Sequence, residues 1–158
     1  MRQENNSMII NYPTKHTILS SPVTFRKGAI RILQTWYKAN KKHTYNQNKQ
    51  LLHNLAKFYK TSISVFNTPT KNGDCYIPKQ KMICLSGDSL ITALHEFAHH
   101  LYGPSETTAC RWSIWLFKKA FPESYNKLTF KRHMLVRKQF YAKKTHSCQY
   151  DDTPTTTG

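Results

Sequence analysis

The sequence predicts an α+β domain in which a short sheet packs on one central helix and several further helices. Three observations carry that prediction. Apolar residues recur at three- and four-residue spacing in separate segments, as amphipathic helices require. Between those segments lie short runs bounded by turn residues, Ile63-Ser64-Val65-Phe66, Cys75-Tyr76-Ile77 and Met82-Ile83-Cys84-Leu85, which read as strands. The third is bulk: 158 residues, 39% hydrophobic and 13% aromatic, suffice for one folded core and are too few for two comfortable ones.

Residues 1–22 are polar with scattered Ile and Leu. They are expected to form a flexible arm, with one short strand at Met8-Ile9-Ile10-Asn11-Tyr12. Residues 23–146 are read as the single domain, and 147–158 as a disordered tail. Ile30, Leu33, Trp36 and Tyr37 make one helical face. A break rich in Asn, Lys and His separates it from a second, with Leu51, Leu52, Leu55, Phe58 and Tyr59. Lys71-Asn72-Gly73-Asp74 carries a hairpin-type turn signal. The strands on either side of Pro78 to Lys81 can pair, and Pro78 keeps its strand away from the centre of a sheet. A free edge there suits an extended peptide, which can add to it by main-chain hydrogen bonds.

Gly87-Asp88-Ser89 supplies an N-cap for a helix carrying Leu90, Ile91, Leu94, Ala98 and Leu101, and Gly103-Pro104 stops it. A helix from 106 to about 121 is apolar nearly all round, with Ala109, Trp112, Ile114, Trp115, Leu116, Phe117 and Phe121. It should therefore be buried. Pro122-Glu123 opens a last expected helix over 123–143, burying Tyr125, Leu128, Leu135 and Phe140.

The central helix holds His95-Glu96-Phe97-Ala98-His99. Residues four apart sit one above the other on a helix, so His95 and His99 can offer two imidazoles to one metal ion. Glu96 is rotated by roughly 100°, which places it beside the ion as a general base and not as a ligand. With 8 His in 158 residues, chance yields this pattern in roughly one such chain in a hundred. The competing reading is an ordinary helix whose two histidines face solvent or the core.

A catalytic zinc usually has three protein ligands. Glu106 is the best third: it follows a tight reversal and falls in the first turn of the next helix, close to the pair. There it can equally serve as a charge favouring a helix N-terminus. Cys110, His133 and His100 compete, His100 least because it points away from the His95/His99 face.

His95-Glu96-Phe97-Ala98-His99, followed by an acid opening a second helix, resembles the gluzincin branch of the zincin metallopeptidases. The surroundings, with Met82-Ile83-Cys84-Leu85 leading through a polar loop into the helix, are similar to the small intracellular ImmA/IrrE-type proteins and to SprT-like enzymes. The resemblance covers residues 63–122. The metzincin pattern is missed: Gly103 comes one residue late, and position 105 is Ser where a His would stand. The resemblance implies a small zincin-like domain, with a short mixed or antiparallel sheet whose edge strand lies over the cleft. It also implies peptide-bond hydrolysis by a zinc-activated water, with Glu96 as base. SprT-like enzymes act on protein bound to DNA and ImmA-like ones on a repressor, so nucleic-acid-associated protein is the implied substrate. Tyr102, Tyr76, Arg111 and His133 are candidates for stabilising the oxyanion, and the sequence does not choose among them.

Net charge is +16, and no acid occurs from Asn5 to Gly73. Nine Lys or Arg face one acid, Glu123, over 118–144. This excess, with that over 26–60, is attractive to nucleic acid, and interleaved Tyr125, Phe130, Phe140 and Tyr141 suit stacking on single strands. The alternative function is therefore a basic nucleic-acid- or protein-binding module whose zincin site is structural or vestigial. A solvated basic surface explains the charge as well. Cys75, Cys84, Cys110 and Cys148 form no Cys-x-x-Cys pair, and His146 with Cys148 has the wrong spacing for a closed zinc site. With no signal-peptide core and no apolar run of membrane length, an intracellular protein with reduced thiols is expected.

Overall fold

The computed structural model describes residues 10–39, 45–67 and 73–138, and the fold is α+β as expected. The first elements are α1 (Lys15–Leu19), α2 (Lys27–Ala39) and α3 (Tyr45–Phe58). Strands β1 (Ser64–Asn67), β2 (Cys75–Ile77) and β3 (Met82–Leu85) follow, then α4 (Leu90–Tyr102), α5 (Glu106–Ala120) and α6 (Pro122–Asn126). The described chain closes with β4 (Leu128–Lys131) and β5 (Met134–Arg137).

The first sheet is mixed, in the order β1-β3-β2. Strand β3 pairs parallel with β1, Ile83 opposite Val65, and antiparallel with β2, Ile83 opposite Tyr76. The β2–β3 connection is a single 3-10 turn over Pro78–Gln80, closed by Lys81 in the left-handed region at φ 48°. As the proline demands, β2 lies at the edge of the sheet.

Helix α4 sits in the middle of the core. Its Leu90, Ala93, Leu94, Phe97 and Ala98 are buried against Leu33 of α2, Leu51, Leu52 and Leu55 of α3, and Trp112 and Leu116 of α5. Most of α5 is buried, as its apolar circumference requires. A smaller apolar cluster of Ile18, Cys110 and Ile114 gathers Ile91, Phe130 and Leu135 around it. No helix among the described residues is long and apolar enough to cross a membrane.

Two expectations are corrected. The stretch expected to be a flexible arm carries α1, capped by Thr14 and docked on α5. Ile18 is fully buried, its carbonyl accepts from Trp115 Nε1 at 2.8 Å, and Arg111 Nη2 donates to the Ser21 carbonyl at 2.7 Å. One buried Ile and two donors from α5 hold a segment whose own composition promised nothing. Of the strand expected at Met8 to Tyr12, positions 10–12 are irregular, and the rest lies outside the described residues.

Over its described part, 123–138, the last expected helix is instead the short α6 followed by the antiparallel hairpin β4–β5, Phe130 opposite Leu135; Phe140 lies outside the described residues. Leu128, Phe130 and Val136 suit strands. Arg132, at φ 59°, makes a two-residue reversal that no helix admits. The expected tail, with Cys148, and His146 before it lie outside the described residues.

Candidate metal centre

Helix α4 is anchored at its start. Ser89 Oγ accepts from the Thr92 amide at 3.3 Å, and the buried Asn48 of α3 donates to the Asp88 carbonyl at 2.8 Å. One turn separates His95 from His99, and their Nε2 atoms approach to 3.2 Å. Gly103 then does two things. Its amide donates to the His99 carbonyl, ending the helix, and its own carbonyl accepts from His99 Nδ1 at 2.9 Å. The backbone does this at φ 99°, where a side chain would be strained. With Nδ1 committed as donor, the lone pair of His99 Nε2 faces His95.

Ser105 caps α5 by accepting from the Thr108 amide at 3.2 Å, which fixes Glu106 as the first helical residue. Its carboxylate reaches back to both imidazoles: Oε2 lies 3.0 Å from His95 Nε2 and Oε1 3.0 Å from His99 Nε2. The three donor groups lie within 4.8 Å of one another, the one such group of metal-ligating side chains among the described residues.

Electrostatics favours the ligating form of His95. Burial holds the His95 imidazole below its ordinary value, against an opposing pull from Glu106, which leaves it neutral and able to coordinate. Glu96 is 7% exposed and stands outside the ligand cluster. Burial pushes its carboxyl up to about 7, with Glu106 adding to the shift and His99 opposing it.

The competing ligands border the cleft but stay outside the ligand cluster. His100 is engaged at both ring nitrogens, Nε2 with Thr61 Oγ1 at 2.8 Å and Nδ1 with the Tyr76 hydroxyl at 2.7 Å. Cys110 Sγ stands behind the site, 3.7 Å from His95 Nδ1, and burial pushes its thiol up to about 12. His133, at the β4–β5 turn, lines the cleft and stacks on Tyr12 with ring centroids 4.0 Å apart. Two of the four oxyanion candidates, Tyr76 and His133, line the cleft, the first with its hydroxyl already bonded to His100. The other two do not. The Tyr102 ring turns onto Trp112, 6.0 Å between centroids, and Arg111 is held by Ser21; both border a separate surface pocket.

The cleft has a volume of about 810 Å³. Beyond the expected residues it is walled by Ile10, Tyr12, Met134, Leu135 and Val136, and the reading of 123–143 as helix hid the last three. Alternation over Leu128-Thr129-Phe130-Lys131, followed by the short apolar run Met134-Leu135-Val136, was the signal that could have found the hairpin. Asp74 also borders the cleft and accepts from the Ser86 amide and, at 2.7 Å, from its hydroxyl. Among the described residues no Lys or Arg lines it.

No protein-family model, curated protein or solved structure matches this chain. The site is therefore judged on its donors. Two imidazoles and one carboxylate converging from two helices, with one imidazole oriented by a backbone carbonyl, fit a divalent cation such as zinc.

Proposed function

We propose that this protein is a zinc-dependent peptidase in which His95, His99 and Glu106 hold the metal and Glu96 is the general base. Zinc so held supplies Lewis acidity, polarising a carbonyl oxygen and lowering the pKa of a water. The observation that carries the proposal is a division of labour between two carboxylates. Glu106 faces both imidazoles at 3.0 Å, while Glu96 is buried beside them and left free of the ligand cluster. A carboxyl raised to about 7 takes and returns a proton near neutrality, which suits it to deprotonate the attacking water and then protonate the leaving amine. Among the described residues strand β2 is an edge strand and packs beside α4, where an extended peptide can add as a further strand. His100 ties that strand to α4 through Tyr76, so the edge and the ligands hold a common frame.

The test is metal analysis of the purified protein together with hydrolysis of unstructured polypeptides. Wild type should carry one equivalent of zinc, and Glu106→Ala should lose or weaken it. Glu96→Gln should keep the metal and lose turnover; wild-type activity in that variant sinks the mechanism.

A second reading rests on a different observation. Helices α2 and α3 expose Lys27, Arg31, Lys38 and Lys57 on a stretch without a single acid, which supports contact with nucleic acid and a substrate bound to it.

A further inference from the structure

The faces that carry the metal ligands continue as apolar faces. On α4, Ile91 lies one turn before His95; on α5, Cys110 and Ile114 lie one and two turns after Glu106. These side chains meet in the smaller apolar cluster, which Leu135 of the hairpin joins. Cys110 Sγ, 3.7 Å from His95 Nδ1, brings that cluster up to the ligand itself. Ile91, Ile114 and Leu135 also border the cleft, and Met134, 50% exposed, and Val136 form its rim. The triad therefore lies beside an apolar floor that is continuous with the interior and open to the cavity.

Resting on the peptidase reading, we infer that the cleft selects a polypeptide segment with a large apolar side chain, of Leu, Met or Phe size, next to the bond presented to the metal. That side chain sits against Ile91, Ile114 and Leu135 under the rim of β5. Burying it there removes apolar surface from both partners. A Lys or Asp in the same place would lose its hydration to a wall of isoleucine and leucine. The three cleft acids offer an incoming ammonium little: Glu106 faces the two imidazoles, Asp74 is bonded to Ser86, and Glu96 is buried.

The test is equilibrium binding, separate from turnover. Zinc-loaded Glu96→Gln protein is titrated with fluorescent peptides identical except for one central residue: Leu, Ser or Lys. The Leu peptide should bind at least about tenfold more tightly than the Ser or Lys peptide, the scale of burying one aliphatic side chain. Met134→Glu, at a half-exposed strand position where the fold tolerates a charge, should reduce that preference severalfold and improve the Lys peptide. Dissociation constants within twofold across the three peptides overturn the inference, as does a Met134→Glu variant with an unchanged order. Selective binding without hydrolysis by wild type supports the inference and removes the peptidase reading. Hydrolysis without selectivity does the reverse.

Discussion

The cleft and the α2–α3 face are electrically opposite parts of one small molecule. Among the described residues the cleft is bordered by Asp74, Glu96 and Glu106 and by no Lys or Arg. The α2–α3 face exposes Arg31 and Lys57 beside Gln50 and Asn54 in a groove of about 690 Å³, with Arg26 lying 4.3 Å over the Phe58 ring. The difference shows that a net charge of +16 describes the shell and says nothing about the site. Inside a poorly solvated cleft, a cation next to the ligands would repel a divalent ion strongly, whereas exposed charges more than about 8–10 Å away are screened at physiological salt. A lining without Lys or Arg among the described residues suits a metal site in a basic chain.

The largest effect that can test this contrast is chemical. Glu96→Gln should lower turnover by about 10²–10⁴-fold, the usual worth of a positioned base, with zinc content unchanged by elemental analysis. Next comes the metal. Calorimetric unfolding should show zinc stabilising the wild type by about 2.7 kcal/mol when free metal is a hundredfold above its dissociation constant. That increment should vanish in His95→Ala. An equal increment there would move the metal out of the cleft.

The third effect is a pH dependence of the metal-free protein. The Glu96 carboxyl is raised from 4.5 to about 7. Its contribution to stability is therefore complete below 4.5 and lost as pH rises through about 7. Urea unfolding should show wild type losing about 2–3 kcal/mol relative to Glu96→Gln across that window. A flat difference curve would mean that the carboxyl is solvated, contrary to its burial. The smallest effect lies on the other region. Binding of a labelled single-stranded oligonucleotide should weaken with salt, and the paired variant Arg31→Ala/Lys57→Ala should flatten the logarithmic slope by about 1.4. Zinc content should not move in that variant; if it does, the two regions are not independent.

Sequence reading reached the core of the site because that core is local. His95 and His99 are one turn apart on a helix whose buried face is written in Leu90, Leu94 and Ala98, and Ser89 and Ser105 announce both helix starts. The strand pair around Pro78 was legible for the same reason. The hairpin was not. Tyr125, Leu128 and Leu135 can be laid on a helical stripe, and only the reversal at Arg132 breaks it. Nor could the sequence sort Tyr76 and His133 from Tyr102 and Arg111, since each destination depends on a partner distant along the chain.

What the amino-acid order decided alone, then, is the pair of imidazoles with a carboxylate between them and a second carboxylate one short turn later. Helical geometry and a glycine stop are enforced by neighbours only a few residues away. Folding in three dimensions decided the rest: that Glu106 turns back to both rings, that Glu96 is buried, and that β5 and Tyr12 wall the cleft. Those outcomes depend on which distant surfaces exclude water together, and burial of that kind leaves no periodic trace in the chain.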